Sequence, residues 1–336
     1  MNKDLRTLLV AAFENKPSAN FSAEDVNEAA VNALAAELGL SANASIRDIR
    51  EVENRAFALI EESVDEILPR RLENVLGAFA EVKTFPRDAE IVFNIEKVGK
   101  NRAKLTISKG ARGGIYRAAK LDSKYFSLAG KLYTVAAYVT LEEILLGTMS
   151  LSELFNNLVE GFEEVIYKEV FEALAKGGAA MGVEHRTTTD KADLGEALDK
   201  VLPIVKQYGV PTIFGSYAAV SEIYNPLAST TGYPNIEDSA DIRNYGHVQV
   251  YKGTKVVELP NYIVVDGENP EWAYSQKYVF VLPSSAKPVK VGLRGEMYIQ
   301  KNTQSVGAEK WEAHKYMGVG IAMANNYAVI EVNDIQ

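Results

Sequence analysis

Chemistry at a protein site needs a nucleophile, a set of metal ligands or a matched acid and base. This chain is poorly supplied with all three. Its three histidines, His185, His247 and His314, lie more than sixty residues apart, and none falls in a pair such as H-E-x-x-H. The absence of cysteine removes thiolate nucleophiles, thiolate metal sites and disulfides together. No G-x-S-x-G elbow occurs. Gly215-Ser216-Tyr217-Ala218 fails at the final glycine and reads as strand, turn and helix N-cap. Gly110 to Gly114 lacks the Gly-Lys-Ser/Thr ending of a phosphate loop and reads as a hairpin tip, while Gly318-Val319-Gly320 has Met323 in the third glycine position and reads as strand. Nothing among the carboxylates singles out an acid/base pair. The sequence therefore predicts no catalytic residue, no cofactor and no metal ligand, and a protein that is not an enzyme.

Charge is distributed unevenly. Between Lys97 and Lys131 stand ten basic residues, among them Lys100, Arg102, Lys104, Lys109, Arg112 and Arg117, with only Asp122 opposing them. That segment carries +9 in a chain of net charge −9, so the remainder carries −18. Leu141 to Lys176 holds eight glutamates, including Glu153, Glu160, Glu163 and Glu164, against two lysines. Solvated faces are the ordinary meaning of such runs. A nucleic-acid patch would need more aromatic interleaving than Tyr116, Tyr125 and Phe126 supply. The third reading is complementarity. A basic, glycine-tipped segment has little core of its own, so it projects and finds carboxylates on another copy. The expected inter-subunit contacts are Lys100, Arg102, Lys104, Lys109, Arg112 and Arg117 against Glu153, Glu160, Glu163 and Glu164.

The elements that position these residues follow from periodicity. With 47% apolar and 24% charged residues the composition is globular, and the acidic balance argues against a dedicated duplex-binding protein. No apolar run reaches the roughly 18 residues of a membrane span. Met1 to Lys16 lacks the pattern of a secretory signal, so the expected compartment is cytoplasmic. Leu5, Leu8, Leu9 and Phe13 have helical spacing. A second helix starts at Ser22 and stops at Gly39, and a third runs from about Ile46 to Pro69. Strands follow at Ile91–Ile95 and Lys104–Ser108, with a return through Tyr125–Val139. Ser150-Leu151-Ser152-Glu153 is a capping box opening the clearest helix, Leu151–Lys176, about 39 Å long and ended by Gly177-Gly178. Beyond it the pattern is mixed α/β. There are helices at Leu194–Tyr208, Tyr217–Tyr224 and Asp238–Tyr245, and strands at Val210–Gly215 and Tyr278–Leu282. Lys252-Gly253-Thr254 marks a hairpin, and the last strand pair is Met317–Ala324 with Tyr327–Val332.

This order resembles the major capsid protein of tailed bacteriophages, the Hong Kong 97-like fold, over about Phe79 to Asp334. Tyr245 to Asn261 is similar to the strand-Gly-strand-Pro-Asn stretch of that family's axial domains, and Gly318 to Ile330 resembles its closing hairpin with an Asn turn. The resemblance implies an α+β fold with a helical N-terminal arm (1–80) and a peripheral domain (81–190) bearing an extended β-hairpin loop (about 97–131) and a spine helix (151–176). It further implies an α/β axial domain (191–305) and strands returning to the peripheral domain (306–336). The arm is expected to serve assembly and to contribute little to folding of the body. Some family members cross-link lysine to asparagine. Here Asn325-Asn326 would be the acceptors, without a local signature for the catalytic glutamate.

The expected function is a structural shell protein. Copies assemble as hexamers and pentamers into an icosahedral head in the bacterial host cytoplasm, around double-stranded DNA held by non-specific contact and without membrane contact. Portal, scaffolding and decoration proteins are the further partners implied. Two alternatives stand beside it: an encapsulin-type nanocompartment shell, and a cytoplasmic α/β enzyme with a diffuse carboxylate site.

Overall fold

The computed structural model describes residues 23–40, 46–95, 124–137, 151–179, 184–223, 236–266, 269–284, 287–305, 308–322 and 326–335. The expected helix at Leu5–Phe13, the strand at Lys104–Ser108 and the glycine-rich tip lie outside the described residues. Helix α1 (Ala23–Leu38) buries Ala30, Leu34 and Leu38 on one face. It stops at Gly39, whose φ of +74° suits glycine. Gly39 N–H donates to the Ala36 carbonyl and Leu40 N–H to that of Ala35, the paired bonds of a Schellman motif.

Helix α2 (Ile46–Leu76) is longer than expected, because Pro69 lies inside it. An interior proline costs about 3 kcal/mol. Beyond it Leu72 and Leu76 are fully buried, each worth about 1.5–3 kcal/mol, so burial wins and the helix continues. Ala56, Phe57, Ile60, Val64, Ile67 and Leu68 complete the buried stripe of α2 and belong to the main core. Residues 46–76 are thus built into the body, against the expectation for an arm.

Two sheets organise the rest. Strands β1 (Ala80–Phe85), β4 (Lys131–Ala137), β12 (Val289–Ser305) and β13 (Ala308–Ile321) form a four-stranded sheet in the order β1-β12-β13-β4. The long β12–β13 ribbon was only half legible, since the polar stretch 294–316 hides the alternation. Its inner face carries Val289, Val291, Leu293, Met297, Ala313 and Met317 into the main core beneath α2 and α3 (Leu151–Ala179). On the opposite face lies a separate hairpin, β2 (Ile91–Ile95) with β3 (Lys124–Leu128), pairing Ile95 with Lys124.

The second sheet has six strands in the order β5-β14-β11-β6-β8-β7: β5 (Arg186–Thr189), β14 (Ala328–Val332), β11 (Tyr278–Pro283), β6 (Pro211–Gly215), β8 (Thr254–Glu258) and β7 (Val250–Tyr251). Both its faces are covered, which explains the unbroken apolar run Tyr278-Val279-Phe280-Val281-Leu282. Phe214, Phe280, Leu282 and Val329 point to the main core and α3. Ile213, Val279, Val281, Ala328 and Ile330 point instead to a second core under α4 (Leu194–Val205) and α5 (Tyr217–Val220). Lys252 (φ +45°) and Gly253 (φ +76°) make the two-residue turn between β7 and β8 with both central residues left-handed. Helix α6 (Ile236–Tyr245) and the hairpin of β9 (Ile263–Asp266) with β10 (Asn269–Trp272) complete the described α-helices and strands, and single 3-10 turns at Lys191–Asp193 and Lys206–Tyr208 flank α4.

Three expectations change here. Gly177 and Gly178 do not end α3, which reaches Ala179. A Cβ on Gly178 would lie 2.8 Å from Val329 Cγ2, so the glycines allow the helix to approach β14 closely. The last strands are not a hairpin, since β13 pairs with β12 and β4 while β14 pairs with β11 and β5. The chain also re-enters the four-stranded sheet at Val289 and leaves it after Ile321, so residues 306–336 are divided between the two sheets.

Candidate assembly surfaces

Helix α3 spans both sheets. Near its start Gly161 faces Val135 of β4, and near its end Gly177 faces Tyr327, whose hydroxyl donates to the Leu174 carbonyl at 3.2 Å. Between them Phe171 stacks on Tyr274 at 4.2 Å, and Phe79 meets Phe214 edge-on at 5.2 Å. An aromatic joint therefore fixes one sheet against the other.

The expected outward glutamates of α3 are only partly outward, since Glu163 and Glu164 are half-buried, and part of the helix's charge is answered within the chain. Glu160 is exposed. Glu163 lies 3.6 Å from Arg71 Nε of α2. Burial pushes its carboxyl above the ordinary range, Arg71 opposes that and Glu160 adds to it. Glu164 is half-buried beside an open cleft of about 390 Å³ that Glu160, Glu163, Tyr167, Pro260 and Tyr262 also line. Burial and the nearby Glu163 push the Tyr167 hydroxyl up to about 12. Further along, Glu169 accepts from Lys131 Nζ at 3.1 Å and from the Tyr133 hydroxyl at 2.9 Å. Burial alone would raise its carboxyl, but these two donors outweigh it and hold the group below the ordinary range. Lys131, counted in the basic segment, thus turns onto its own subunit's helix. Glu153 sits in α3 with its side chain outside the described residues, and Lys100, Arg102, Lys104, Lys109, Arg112 and Arg117 lie outside them altogether.

What the structure does show of the basic segment is its root, which the charge pattern could not locate. The β2–β3 hairpin rests on a floor of glycines on the four-stranded sheet. A Cβ on Gly292 would overlap Ile91, one on Gly320 would overlap Leu128, and one on Gly318 would stand 3.2 Å from Ile91 Cδ1. Gly318-Val319-Gly320 is therefore a strand made flat so that the hairpin can lie on it. Beside the floor, buried Lys290 pairs with Glu81 and stands 5.9 Å from the Phe93 ring centroid. Lys83 covers the same ring at 5.4 Å. Lys290 and Lys83 together outweigh the effect of burial on Glu81 and lower its carboxyl.

Farther along the same sheet face is a second feature that the sequence reading passed over. Leu132, Tyr298 and Tyr316 are 43%, 45% and 39% exposed. Arg294 stacks over Tyr316 at 5.0 Å, and Tyr298 lies against His314 at 4.7 Å. His314 is itself buried and bonded to Thr134 Oγ1 at 2.8 Å. The only available sequence signal was the every-second-residue spacing of His314, Tyr316 and Gly318. Of the other histidines, His247 is buried with Nδ1 3.2 Å from the Tyr245 carbonyl, and His185 Nδ1 is 3.0 Å from the Tyr327 carbonyl. Asn326, in the Asn turn before β14, is buried. Among the described residues no helix is long and apolar enough to cross a membrane.

No curated protein matches the chain. Its backbone resembles the satellite phage P4 procapsid with TM-score 0.54 at 9% identity, covering 82% of this chain and 92% of that one. That likeness shows the capsid fold. A native GTA particle capsid (TM-score 0.49, 12% identity, 77% and 89% covered) is also similar. So is the SrpI encapsulin of Synechococcus elongatus PCC 7942 (TM-score 0.45, 11% identity, 80% and 89% covered). A family model described as "SPbeta prophage-derived putative capsid protein YonB" matches residues 4–332. With an α+β body of the phage-capsid fold and a family match across nearly its whole length, the chain belongs to the YonB family of prophage-derived capsid proteins.

Proposed function

We propose that the chain is the major shell subunit of a prophage-derived phage head, whose copies close as hexamers and pentamers around double-stranded DNA. The observation that carries this reading is the family match over residues 4–332, which includes the basic segment as well as the folded body. The role is structural and the mechanism is assembly. Heterologous surfaces on each copy close into rings, and the segment between β2 and β3 reaches from its rigid root to a neighbouring copy. Lys100, Arg102, Lys104, Lys109, Arg112 and Arg117 are its contact residues. A net charge of −9 suits a wall that encloses DNA without adhering to it over its whole surface. Assembly takes place in the host cytoplasm. A portal protein, with scaffolding or decoration proteins, completes the set of partners.

Negative-stain microscopy of the full-length expressed protein tests the reading. Closed particles of uniform size are expected, and a small soluble oligomer under all assembly conditions would overturn it. Exposed ion pairs are worth only about 0.2–1 kcal/mol each, so single charge changes should pass unnoticed. Changing Lys104, Arg112 and Arg117 to Glu together should stop assembly and leave the monomer folded. Raising salt from about 0.1 to 1 M, which shortens the Debye length from about 10 to 3 Å, should weaken assembly.

A further inference from the structure

From the walls and the charge of the cleft beside Glu164, we infer that it binds an aliphatic oligoamine, a chain of methylenes carrying two or more ammonium groups. The inference stands apart from the shell reading, because it concerns a small ligand held by a single copy.

The cleft is pre-formed. One wall is α3, with Glu160, Glu163, Glu164 and Tyr167, and the other is the segment between β8 and β9, with Pro260 and Tyr262. Hydrogen bonds hold that segment in place. Asn261 Nδ2 donates to the Tyr274 carbonyl at 3.0 Å, and the Tyr274 hydroxyl donates to the Leu259 carbonyl at 2.9 Å. Ala273 N–H donates to the Tyr262 carbonyl at 2.9 Å. Tyr274 in turn stacks on Phe171 of α3 at 4.2 Å, so the two walls are fixed relative to each other. A ligand entering a space already open, here about 390 Å³, has little protein to order.

The cleft is also short of positive charge. Of its three carboxylates Arg71 answers one, Glu163, at 3.6 Å, and Glu163 Oε1 is buried with no hydrogen-bond partner. Among the described residues Glu160 and Glu164 have no ion-pair partner within the chain, and Lys168, one turn beyond Glu164, does not line the cleft. Two negative charges therefore remain to be met.

The spacing of the carboxylates selects the kind of cation. Glu163 and Glu164 each lie one turn from Glu160, with Cβ atoms about 5–6 Å away. They do not converge: among the described residues no three acidic or histidine side chains are arranged to hold a metal ion. A point charge cannot reach them together, whereas ammonium groups separated by three or four methylenes can meet separate carboxylates. Tyr167 and Tyr262 supply apolar surface for the methylenes and π-faces for the ammonium groups.

Isothermal titration calorimetry of the full-length protein with spermidine tests the assignment, in about 0.1 M salt, where the Debye length is about 10 Å. One spermidine per chain is expected. Butylamine, with a single charge, and Mg²⁺, with no methylenes, should bind about tenfold more weakly or not at all. Glu160→Gln combined with Glu164→Gln should weaken spermidine binding about tenfold, and Tyr262→Leu about two- to fivefold. Glu196→Gln, on α4 at the other face of the six-stranded sheet, should leave it unchanged. No binding, binding of Mg²⁺ as tight as that of spermidine, or equal losses from Glu196→Gln and the cleft variants would mark counterions on an acidic surface and overturn the inference. Tetralysine bound at the cleft where spermidine is not would overturn it too, by assigning the cleft to a basic segment of a protein partner. Should the double variant fail to fold, Glu160→Gln alone, at an exposed position, is compared with Glu196→Gln, and equal spermidine binding by the two overturns the inference.

Discussion

Lys315 Nζ lies 2.5 Å from Asp65 Oδ1, tying a strand near the end of the chain to a helix near its beginning. The lysine side chain is 5% exposed, and it also donates to the Gly295 carbonyl at 2.6 Å. The other oxygen of Asp65 accepts from Met297 N–H at 2.7 Å, and Glu61, one turn earlier on α2, accepts from Ile299 N–H. Met297 and Ile299 lie beyond Arg294, the last residue of β12 that pairs with β1. Two helix carboxylates thus take the place of a strand neighbour along this edge, which explains how β12 outruns β1 without stranding its amides.

Breaking this lock on one side leaves a buried charge uncompensated, which typically costs about 3–5 kcal/mol. Asp65→Ala should lower the urea midpoint accordingly. Asp65→Leu combined with Lys315→Met should recover only part of the loss, because no charge is left behind but Met297 N–H loses its acceptor. A loss below about 1 kcal/mol for Asp65→Ala, the level of an exposed pair, would show that the pair is not holding α2.

The two described N-terminal helices should separate in a truncation series. Deleting residues 1–40 removes Ala30, Leu34 and Leu38 from the main core, so it should leave a less stable but still folded subunit that no longer builds uniform shells. Deleting residues 1–76 should abolish cooperative unfolding, because the stripe from Ala56 to Leu76 belongs to the main core. Circular dichroism with thermal melting reads the fold and microscopy reads the shells.

Gly177 and Gly178 oppose propensity to packing. Alanine in a helix interior is favoured over glycine by about 1 kcal/mol, yet Gly178→Ala should lower the melting temperature. Its Cβ would meet Val329 Cγ2 at 2.8 Å, and overpacking of this kind costs about 1–3 kcal/mol. Adding Val329→Ala should relieve part of the loss. A Gly178→Ala variant more stable than the parent would refute the close-approach argument.

Two glutamates on α3 should respond to pH with opposite signs. Glu169 is held below the ordinary carboxylate range by Lys131 and Tyr133 against the effect of burial. Its stabilisation is present above the unfolded value of about 4.3 and is lost as pH falls through the lowered folded value. Glu163 is raised by burial and Glu160, with Arg71 opposing, so it weakens the fold as pH rises through the carboxylate range. Relative to the parent, Glu169→Gln should lose more stability at about pH 7 than at about pH 3, and Glu163→Gln should fare better at about pH 7 than at about pH 3. Melting curves at both values check the signs.

Much of the fold was legible because it is written in local periodicity. The apolar stripe of α3, the turn at Lys252-Gly253, the Gly39 stop and the doubly buried run Tyr278–Leu282 each follow from spacing over a few residues. The charge contrast between Lys97–Lys131 and α3 was equally plain in the chain. The tertiary structure alone decided the points where a distant partner overrides a local signal. Pro69 reads as a helix end until Leu72 and Leu76 find a core. Gly177-Gly178 reads as a stop until β14 passes close by, and Gly318-Val319-Gly320 gains its meaning only beneath Ile91 and Leu128. The pairing of Lys315 with Asp65 spans 250 residues, and no periodicity reaches that far. Spacing along a chain reports the face a residue occupies, whereas the neighbour on that face is set by packing between elements far apart in sequence.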